Sequence, residues 1–204
     1  MEELYVEVEG HKVHYLFNGV ASSIPIVLLH GARYNVDTWI GTKTLEVLTL
    51  EGYSAYAIDL PGFGKSDQNQ GINSTFDFSE FLFALLSVLE LRKVALVGPS
   101  LSGVISLIFA TKHPDQISGL VLIGSAGPEV EELKPQIELL NFPTLLVWGE
   151  KDVMAPMDMG REIQSLIKGS ELFVIEGGSH ACYLDDANSF NRKLIEFLGT
   201  FLKT

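Results

Sequence analysis

The sequence predicts an α/β fold, built on a mostly parallel, eight-stranded sheet with helices on both faces. Short continuous apolar runs, bounded by Gly, Pro or charged residues, recur along the chain, as is typical of strands buried on both faces. Stretches with helical spacing separate these runs, and this alternation indicates a parallel sheet covered by helices. The runs are Ile24–Leu29, Ala55–Ile58, Val94–Val97, Leu120–Ile123, Thr144–Trp148 and Leu172–Ile175.

The N-terminal segment has a different pattern, because apolar and polar residues alternate in it. Residues 5–9 alternate, Gly10 turns the chain, and His11 to Phe17 alternates again before Asn18-Gly19, which is a strong turn signal. The segment therefore predicts an antiparallel hairpin at one edge of the sheet. Its two strands bring the predicted total to eight.

Helices are expected between the strands, and the spaces between the apolar runs set their lengths. Only Gly124 to Phe142 lies between the sixth and seventh predicted strands, which leaves room for a loop and one short helix. A cap over the sheet is therefore predicted to be minimal or absent, and residues 1–204 are expected to form one domain. The predicted helices are Thr38–Leu50, Ser79–Leu91, Leu101–Lys112, Met157–Ile167 and Asp186–Leu202.

The composition excludes several classes of function. Fourteen basic against twenty-six acidic residues give a net charge of −12, which repels nucleic acid and anionic membrane surfaces. The single cysteine, Cys182, and the N-terminus without signal-peptide features predict a soluble, cytoplasmic protein. Neither zinc-like spacing of His and carboxylate residues nor a G-x-G-x-x-G motif after a strand is present, so no metal and no cofactor are expected.

Ser100 stands on the sharp turn between a predicted strand and a predicted helix, where a nucleophile would point out of the sheet. A turn this tight needs small residues two before and two after the nucleophile, and here they are Gly98 and Ser102. The usual pattern, G-x-S-x-G, has glycine at the second of these positions. The alternative is that Ser100 only caps the helix that begins at Leu101.

A nucleophilic serine needs a base and an orienting acid, which follow it in the order acid, then histidine, in folds of this kind. His180 follows the last predicted strand, where the base is expected, whereas His113 lies at the far end of the helix after Ser100. Asp152 follows the seventh predicted strand and is the best candidate for the acid, with Glu150 as the alternative.

The loop after the first buried strand, His30–Tyr34, is expected to help form an oxyanion hole. Such a hole needs two backbone N–H groups, and we expect those of Leu101 and Ala32 to supply them. Gly31 allows the sharp turn that this requires. Because His30 precedes the nucleophile, we interpret it as a structural residue of the loop rather than the base.

Taken together, these segments resemble the α/β-hydrolase superfamily over nearly the whole chain. Within it the chain is most similar to the α/β-hydrolase domain-containing protein 14 group, which also has a serine at the position of Ser102. The resemblance implies a triad of Ser100, Asp152 and His180 that hydrolyses small activated acyl esters. Members of this group are also linked to moving acetyl groups from lysine to coenzyme A. The segments that carry the resemblance are His30-Gly31-Ala32-Arg33, Thr38-Trp39, residues 59–66, residues 99–103, residues 148–152, Gly178-Ser179-His180 and residues 181–185.

The sequence thus predicts a serine hydrolase that cleaves small carboxylic esters through an acyl-enzyme. Without a large cap, a long acyl chain would find no wall to bury against, so short acyl groups such as acetyl are favoured. Arg33 and Tyr34, beside the predicted oxyanion hole, are expected to contact a polar leaving group, with a surface position without a role in binding as the alternative for Arg33. Two alternatives stay open: an acyltransferase that passes the acetyl group to an acceptor such as coenzyme A, and a non-catalytic binding protein on the same scaffold.

Overall fold

The structure, a computed structural model, describes residues 1–22 and 24–202. A single eight-stranded sheet in the order β1-β2-β4-β3-β5-β6-β7-β8 runs through this part of the chain. Strands β3 to β8 are parallel, whereas β2 pairs antiparallel with both β1 and β4. The strands are β1 (Glu2–Val8), β2 (His11–Phe17), β3 (Ile26–Leu28), β4 (Ala55–Ile58), β5 (Val94–Pro99), β6 (Ile117–Ile123), β7 (Thr144–Gly149) and β8 (Glu171–Ile175).

Helices cover both faces of the sheet, as the sequence predicts. One apolar core packs beneath α3 to α7, and the other packs beneath α1, α2, α8 and α9. Within β5, alternate residues enter the two cores, because successive side chains of a strand point to opposite faces. The helices are α1 (Asp37–Gly41), α2 (Thr44–Leu50), α3 (Thr75–Val88), α4 (Leu101–Lys112), α5 (Pro128–Glu132), α6 (Lys134–Ile137), α7 (Met157–Leu166), α8 (Cys182–Asp185) and α9 (Ala187–Gly199).

The predicted edge hairpin is confirmed, and its turn is made by Glu9 and Gly10. Both have positive φ, 49° and 81°, which is the conformation of a two-residue turn that matches the twist of the flanking strands. The pairing runs in register from Glu2 opposite Phe17 to Val8 opposite His11. This hairpin extends the sheet on the side of β4, away from β8.

Only α4 has its predicted bounds. Helices α3, α7 and α9 end at Val88, Leu166 and Gly199 rather than at Leu91, Ile167 and Leu202. The segment predicted as one helix from Thr38 to Leu50 is divided into α1 and α2, because Lys43 adopts a φ of 59° between them. Helix α3 begins at Thr75, four residues before the predicted start. There Ser74 accepts a hydrogen bond from the N–H of Asp77, whose carboxylate accepts one from the N–H of Ser74. This reciprocal pair satisfies N–H groups that a helix otherwise leaves unpaired.

The segment between β6 and β7 forms two short helices, α5 and α6, so the prediction of one short helix is wrong. Pro135 lies in the first turn of α6, where its missing N–H is tolerated. The same ring would clash with the carbonyl of Glu131 if α5 continued, which ends α5 at Glu132. The segment still amounts to a minimal cap.

The chain reverses direction across the sheet at β3. It passes from β3 to β4 on one side and then returns to β5 on the other side. A crevice therefore opens beyond the C-terminal ends of β3 and β5, the place where α/β sheets bind ligands. Among the described residues, no helix is long and apolar enough to cross a bilayer.

Candidate active site

Ser100 is the single residue between β5 and α4, and its backbone is strained. Its φ of 52° and ψ of −117° lie in a region that residues other than glycine rarely adopt. This backbone conformation costs about 1–3 kcal/mol. Although it occupies the position of a helix cap, its hydroxyl makes no capping bond. The Oγ atom instead lies 2.8 Å from Nε2 of His180.

Close packing around the turn explains why small residues flank Ser100. A Cβ atom on Gly98 would lie 2.5 Å from the carbonyl oxygen of Ser102, and one on Gly103 would overlap Oγ of Ser125. The side chain of Ser102 fits, because its hydroxyl donates to the carbonyl of Pro99 at 3.1 Å. The position that requires glycine after the nucleophile is therefore 103 rather than 102.

His180 is held between the serine and Asp152. Its Nδ1 lies 2.8 Å from Oδ2 of Asp152, and because a carboxylate only accepts, Nδ1 carries the proton and Nε2 faces Ser100. The other carboxylate oxygen, Oδ1, accepts from the N–H groups of Met154 and Ala155 at 2.8 and 2.9 Å. The side chain of Asp152 is fully buried, whereas that of His180 remains 23% exposed. The arrangement suits a base that must reach substrate.

The alternative acid, Glu150, has a different place in the structure. Its Oε2 accepts from the N–H of Gly177 at 2.8 Å, and the N–H of Lys151 donates to the carbonyl of Gly178 at the same distance. Both bonds hold the loop that leads to His180 against the end of β7. Glu150 therefore anchors this loop and makes no bond to the imidazole.

Gly124, directly after β6, is a site residue that the sequence reasoning missed. Its φ is +55°, and a Cβ atom there would lie 3.2 Å from Oδ2 of Asp152 and 3.3 Å from Nδ1 of His180. The residue therefore leaves room for the bond between the acid and the base. A glycine at the C-terminal end of a buried strand was the only signal available for it.

The predicted oxyanion loop lies beside the nucleophile. A Cβ atom on Gly31 would lie 3.9 Å from Cβ of Ser100. Within residues 1–22 and 24–202, the backbone N–H groups of Ala32 and Leu101 donate no hydrogen bond. Two such N–H donors, one of them at a helix N-terminus, can donate hydrogen bonds to a developing oxyanion and stabilise its negative charge.

His30 is a structural residue of this loop. It is buried, with Nδ1 3.0 Å from the carbonyl oxygen of Gly31, and Nε2 accepts from the N–H of Leu60 at 3.1 Å. Burial lowers the pKa of His30 below that of an ordinary histidine, partly offset by the bond to Gly31 and the charge of Asp59. The neutral ring therefore ties β3 to the segment after β4.

The residues predicted to contact substrate, Arg33 and Tyr34, are both exposed on the loop after β3. The ring of Tyr34 packs against Gly31, with Cδ2 3.3 Å from the position of a Cβ atom there. Directly after Asp152, Val153 and Met154 are 88% and 66% exposed. Two large apolar side chains next to Asp152 are therefore exposed to solvent.

Tyr183, on α8 three residues after His180, was also missed. Its hydroxyl is buried and has no hydrogen-bond partner within the described ranges. Leaving such a group unpaired costs about 1–3 kcal/mol, so it calls for an explanation. Burial, and then the neighbouring Tyr34 and Cys182, raise the pKa of Tyr183 far above its usual range.

The other candidate base, His113, lies outside this site. It follows the C-terminal end of α4, about 18 Å along a twelve-residue helix from the serine. Its ring stacks on Phe83 with 4.4 Å between ring centroids, and burial lowers its pKa. The structure therefore brings together Ser100, Asp152 and His180 and leaves His113 apart.

The class of protein follows from the sheet and the site together. A mostly parallel sheet carries a strained serine, a histidine and an aspartate beyond the C-terminal ends of its strands, as in one class of α/β enzyme scaffolds. The model of the family described as "alpha/beta hydrolase fold" matches residues 24–139. The chain belongs to this α/β-hydrolase family, as the resemblance in its motifs predicts.

Relatives in the α/β-hydrolase domain-containing protein 14 group are similar over most of the chain. Human "Putative protein-lysine deacylase ABHD14B" is 32% identical over 203 residues, which cover 95% of this chain and 93% of that protein. Zebrafish (Danio rerio) "Protein ABHD14A" is 33% identical over 177 residues, covering 86% of this chain. The matched region spans only 64% of the zebrafish protein.

The fold is also similar to that of a solved archaeal structure. The crystal structure of a "predicted CIB-like hydrolase" from Thermoplasma acidophilum superposes with a TM-score of 0.91 at 28% identity, covering 97% of each chain. The predicted fold class is thereby confirmed, and family membership supports a hydrolase activity.

Proposed function

We propose that the protein is a serine hydrolase that cleaves small carboxylic esters through an acyl-enzyme. The observation that carries this proposal is the continuous pair of short hydrogen bonds from Ser100 through His180 to Asp152, each 2.8 Å long. These two hydrogen bonds make a weak nucleophile reactive, because the histidine removes the proton of the serine while the aspartate fixes the tautomer of the histidine.

In the first half of the reaction, Oγ of Ser100 attacks the ester carbonyl carbon while its proton moves to Nε2 of His180. The buried carboxylate of Asp152 stabilises the imidazolium that forms. The carbonyl oxygen becomes an oxyanion, which the N–H groups of Ala32 and Leu101 would bind. The C–O bond to the alcohol then breaks, and the alcohol leaves with the proton from Nε2.

The second half repeats these steps with water as nucleophile. His180 takes a proton from the water, whose oxygen attacks the acyl carbon, and the resulting tetrahedral intermediate releases Ser100 with its proton restored. The carboxylic acid product carries the acyl group. No step needs a group other than the residues named and one water molecule.

The minimal cap between β6 and β7 supports a preference for short acyl groups. Helices α5 and α6 have five and four residues, too short to enclose a long chain. Acetyl and similar groups need little burial, and the exposed Arg33 and Tyr34 can contact a polar leaving group.

Substitution of the nucleophile tests the proposal. Ser100→Ala should lower kcat/KM for p-nitrophenyl acetate by roughly 10³-fold or more while the unfolding temperature changes little. A fluorophosphonate probe should label wild-type protein at Ser100 and leave the variant unlabelled. Wild-type rates in the variant, or failure of the folded wild-type protein to react with the probe, would exclude this role and favour a non-catalytic binding scaffold.

A second candidate is acyl transfer from an acetylated lysine to an acceptor such as coenzyme A. The similarity to a relative named as a putative protein-lysine deacylase favours it. The same triad would serve, with a thiol replacing water in the second half. Incubation with an acetylated lysine peptide and coenzyme A, followed by measurement of acetyl-coenzyme A, separates transfer from hydrolysis, which yields free acetate.

A further inference from the structure

The buried hydroxyl of Tyr183 has no function in the chemistry described so far. A phenol can donate one hydrogen bond and accept others, and a buried one normally finds a partner. This hydroxyl has none among residues 1–22 and 24–202. An unpaired polar group three residues after the candidate base suggests that its partner arrives with the substrate.

The ring of Tyr183 is held too firmly to turn toward solvent. It packs against Trp39 and Phe190, with ring centroids 5.3 and 5.9 Å away. Trp39 is itself fixed, because its Nε1 donates to the carbonyl of Leu29 at 3.0 Å. The hydroxyl therefore stays in its position, and a partner has to come to it.

Tyr34, on the loop after β3, lies near both Tyr183 and Gly31. It is electrostatically coupled to Tyr183, and its ring packs on Gly31, which approaches Ser100. At 38% exposure on a loop, Tyr34 can swing outward without unpacking a core. Its movement would join the Tyr183 hydroxyl to the space beside the nucleophile.

We propose that Tyr183 is a specificity-determining residue, whose hydroxyl donates a hydrogen bond to a second oxygen of the substrate when Tyr34 moves aside. The inference rests on the proposed ester hydrolysis. The substrates it favours are small esters with an ether, hydroxyl or carbonyl oxygen a few bonds from the scissile carbonyl. That oxygen belongs either to the acyl group or to the alcohol.

Isosteric pairs of esters test the inference. On the acyl side, p-nitrophenyl methoxyacetate is compared with p-nitrophenyl butyrate, which has a methylene in place of the ether oxygen. On the alcohol side, 2-methoxyethyl acetate is compared with butyl acetate. The ratio of kcat/KM within each pair is measured in wild type and in Tyr183→Phe, so that intrinsic reactivity cancels between the two proteins.

Loss of one hydrogen bond should lower the ether-to-methylene ratio roughly threefold to tenfold in one of the two pairs. The pair that responds identifies the side of the substrate. Tyr53→Phe is the matched control, because Tyr53 is another buried tyrosine and precedes β4, at the end of the parallel strands opposite to Ser100. Its ratios should equal those of wild type. Unchanged ratios in Tyr183→Phe for both pairs overturn the inference.

Thermal unfolding supplies a readout apart from activity. Tyr183→Phe should keep or raise the unfolding temperature, since it removes an unpaired buried hydroxyl. A fall of several degrees would show that the hydroxyl has a structural partner and would contradict the inference. If Ser100→Ala is inactive but the ratios do not move, only this inference fails. If Ser100→Ala stays active, the proposed function fails first.

Discussion

Nδ1 of His14 lies 2.7 Å from Oδ2 of Asp59, and both side chains are almost completely buried. The pair lies outside the candidate site yet supports it. Oδ1 of Asp59 accepts from the N–H of Val36 at 2.9 Å, just beyond the predicted oxyanion loop, and Oδ2 also accepts from the N–H of Lys65. Asp59 thereby ties β2, the segment just after the oxyanion loop and the turn after β4 to one carboxylate.

Replacing this carboxylate should cost stability and activity together. Asp59→Asn places an amide where two or three donors converge, so we expect the free energy of unfolding to fall by about 3–5 kcal/mol. Hydrolysis should also slow, since Val36 loses its anchor. Urea unfolding and kcat on p-nitrophenyl acetate measure the two effects.

Asp77→Asn provides the control, because this exposed carboxylate belongs to a helix cap and its loss should cost only about 1 kcal/mol. Equal losses in the two variants would show that Asp59 has no special structural role.

Gly124 should be essential for the alignment of the acid and the base. In Gly124→Ala the new methyl would crowd Oδ2 of Asp152 and Nδ1 of His180, so kcat should fall by about 10–100-fold. Gly52→Ala is the matched control, because Gly52 also has a positive φ, +80°, but open space around it. Both variants should lose about 1 kcal/mol of stability from backbone strain. Loss of activity in Gly52→Ala as well would attribute the effect to strain alone.

The fold was predictable because its signals are local. Each buried parallel strand is an apolar run, and a capping sequence or a proline marks the ends of several helices. The division between α1 and α2 was not predictable, because nothing in the sequence indicates that Lys43 adopts a positive φ. The second short helix in the cap depended on the position of Pro135 within its turn.

The positions of Ser100, Asp152 and His180 were predictable because each follows a strand in a parallel sheet, so that their strand ends meet at one edge. The roles of the residues that support these three were not predictable. Asp59 pairs with His14 across 45 residues of chain, and Gly124 matters only through its distance from two other side chains. Contacts of this kind depend on tertiary packing, which the periodicity of the sequence does not indicate.

The lowered pKa of His30 makes stability depend on pH. An unfolded histidine titrates near pH 6.5, whereas burial keeps His30 neutral to lower pH. As the pH falls below about 6.5, the unfolded chain binds a proton that the folded chain does not. The free energy of unfolding should therefore fall, by at most about 1.4 kcal/mol per pH unit, until the pH reaches the folded pKa.

The variant His30→Asn should show a smaller fall in unfolding free energy between pH 7.5 and 5.5, measured by urea titration at each pH. His113→Asn should reduce it too, since burial also lowers the pKa of His113. Carboxyl groups with lowered pKa titrate below this window. An unaltered slope in His30→Asn would contradict the assignment of a buried neutral ring.

The departure from the usual elbow pattern yields a final prediction about where glycine is required. Ser102 is accommodated through its bond to the carbonyl of Pro99, so Ser102→Gly should restore G-x-S-x-G and change kcat no more than about threefold. Gly103→Ala should instead abolish activity or folding, because its methyl would overlap Ser125 and lie 2.6 Å from the carbonyl oxygen of Gly98. Esterase rates and circular dichroism of the two variants test this contrast. An active, stable Gly103→Ala protein would mean that the turn can relax, and the strain at Ser100 would then not depend on close contact between α4 and the end of β5.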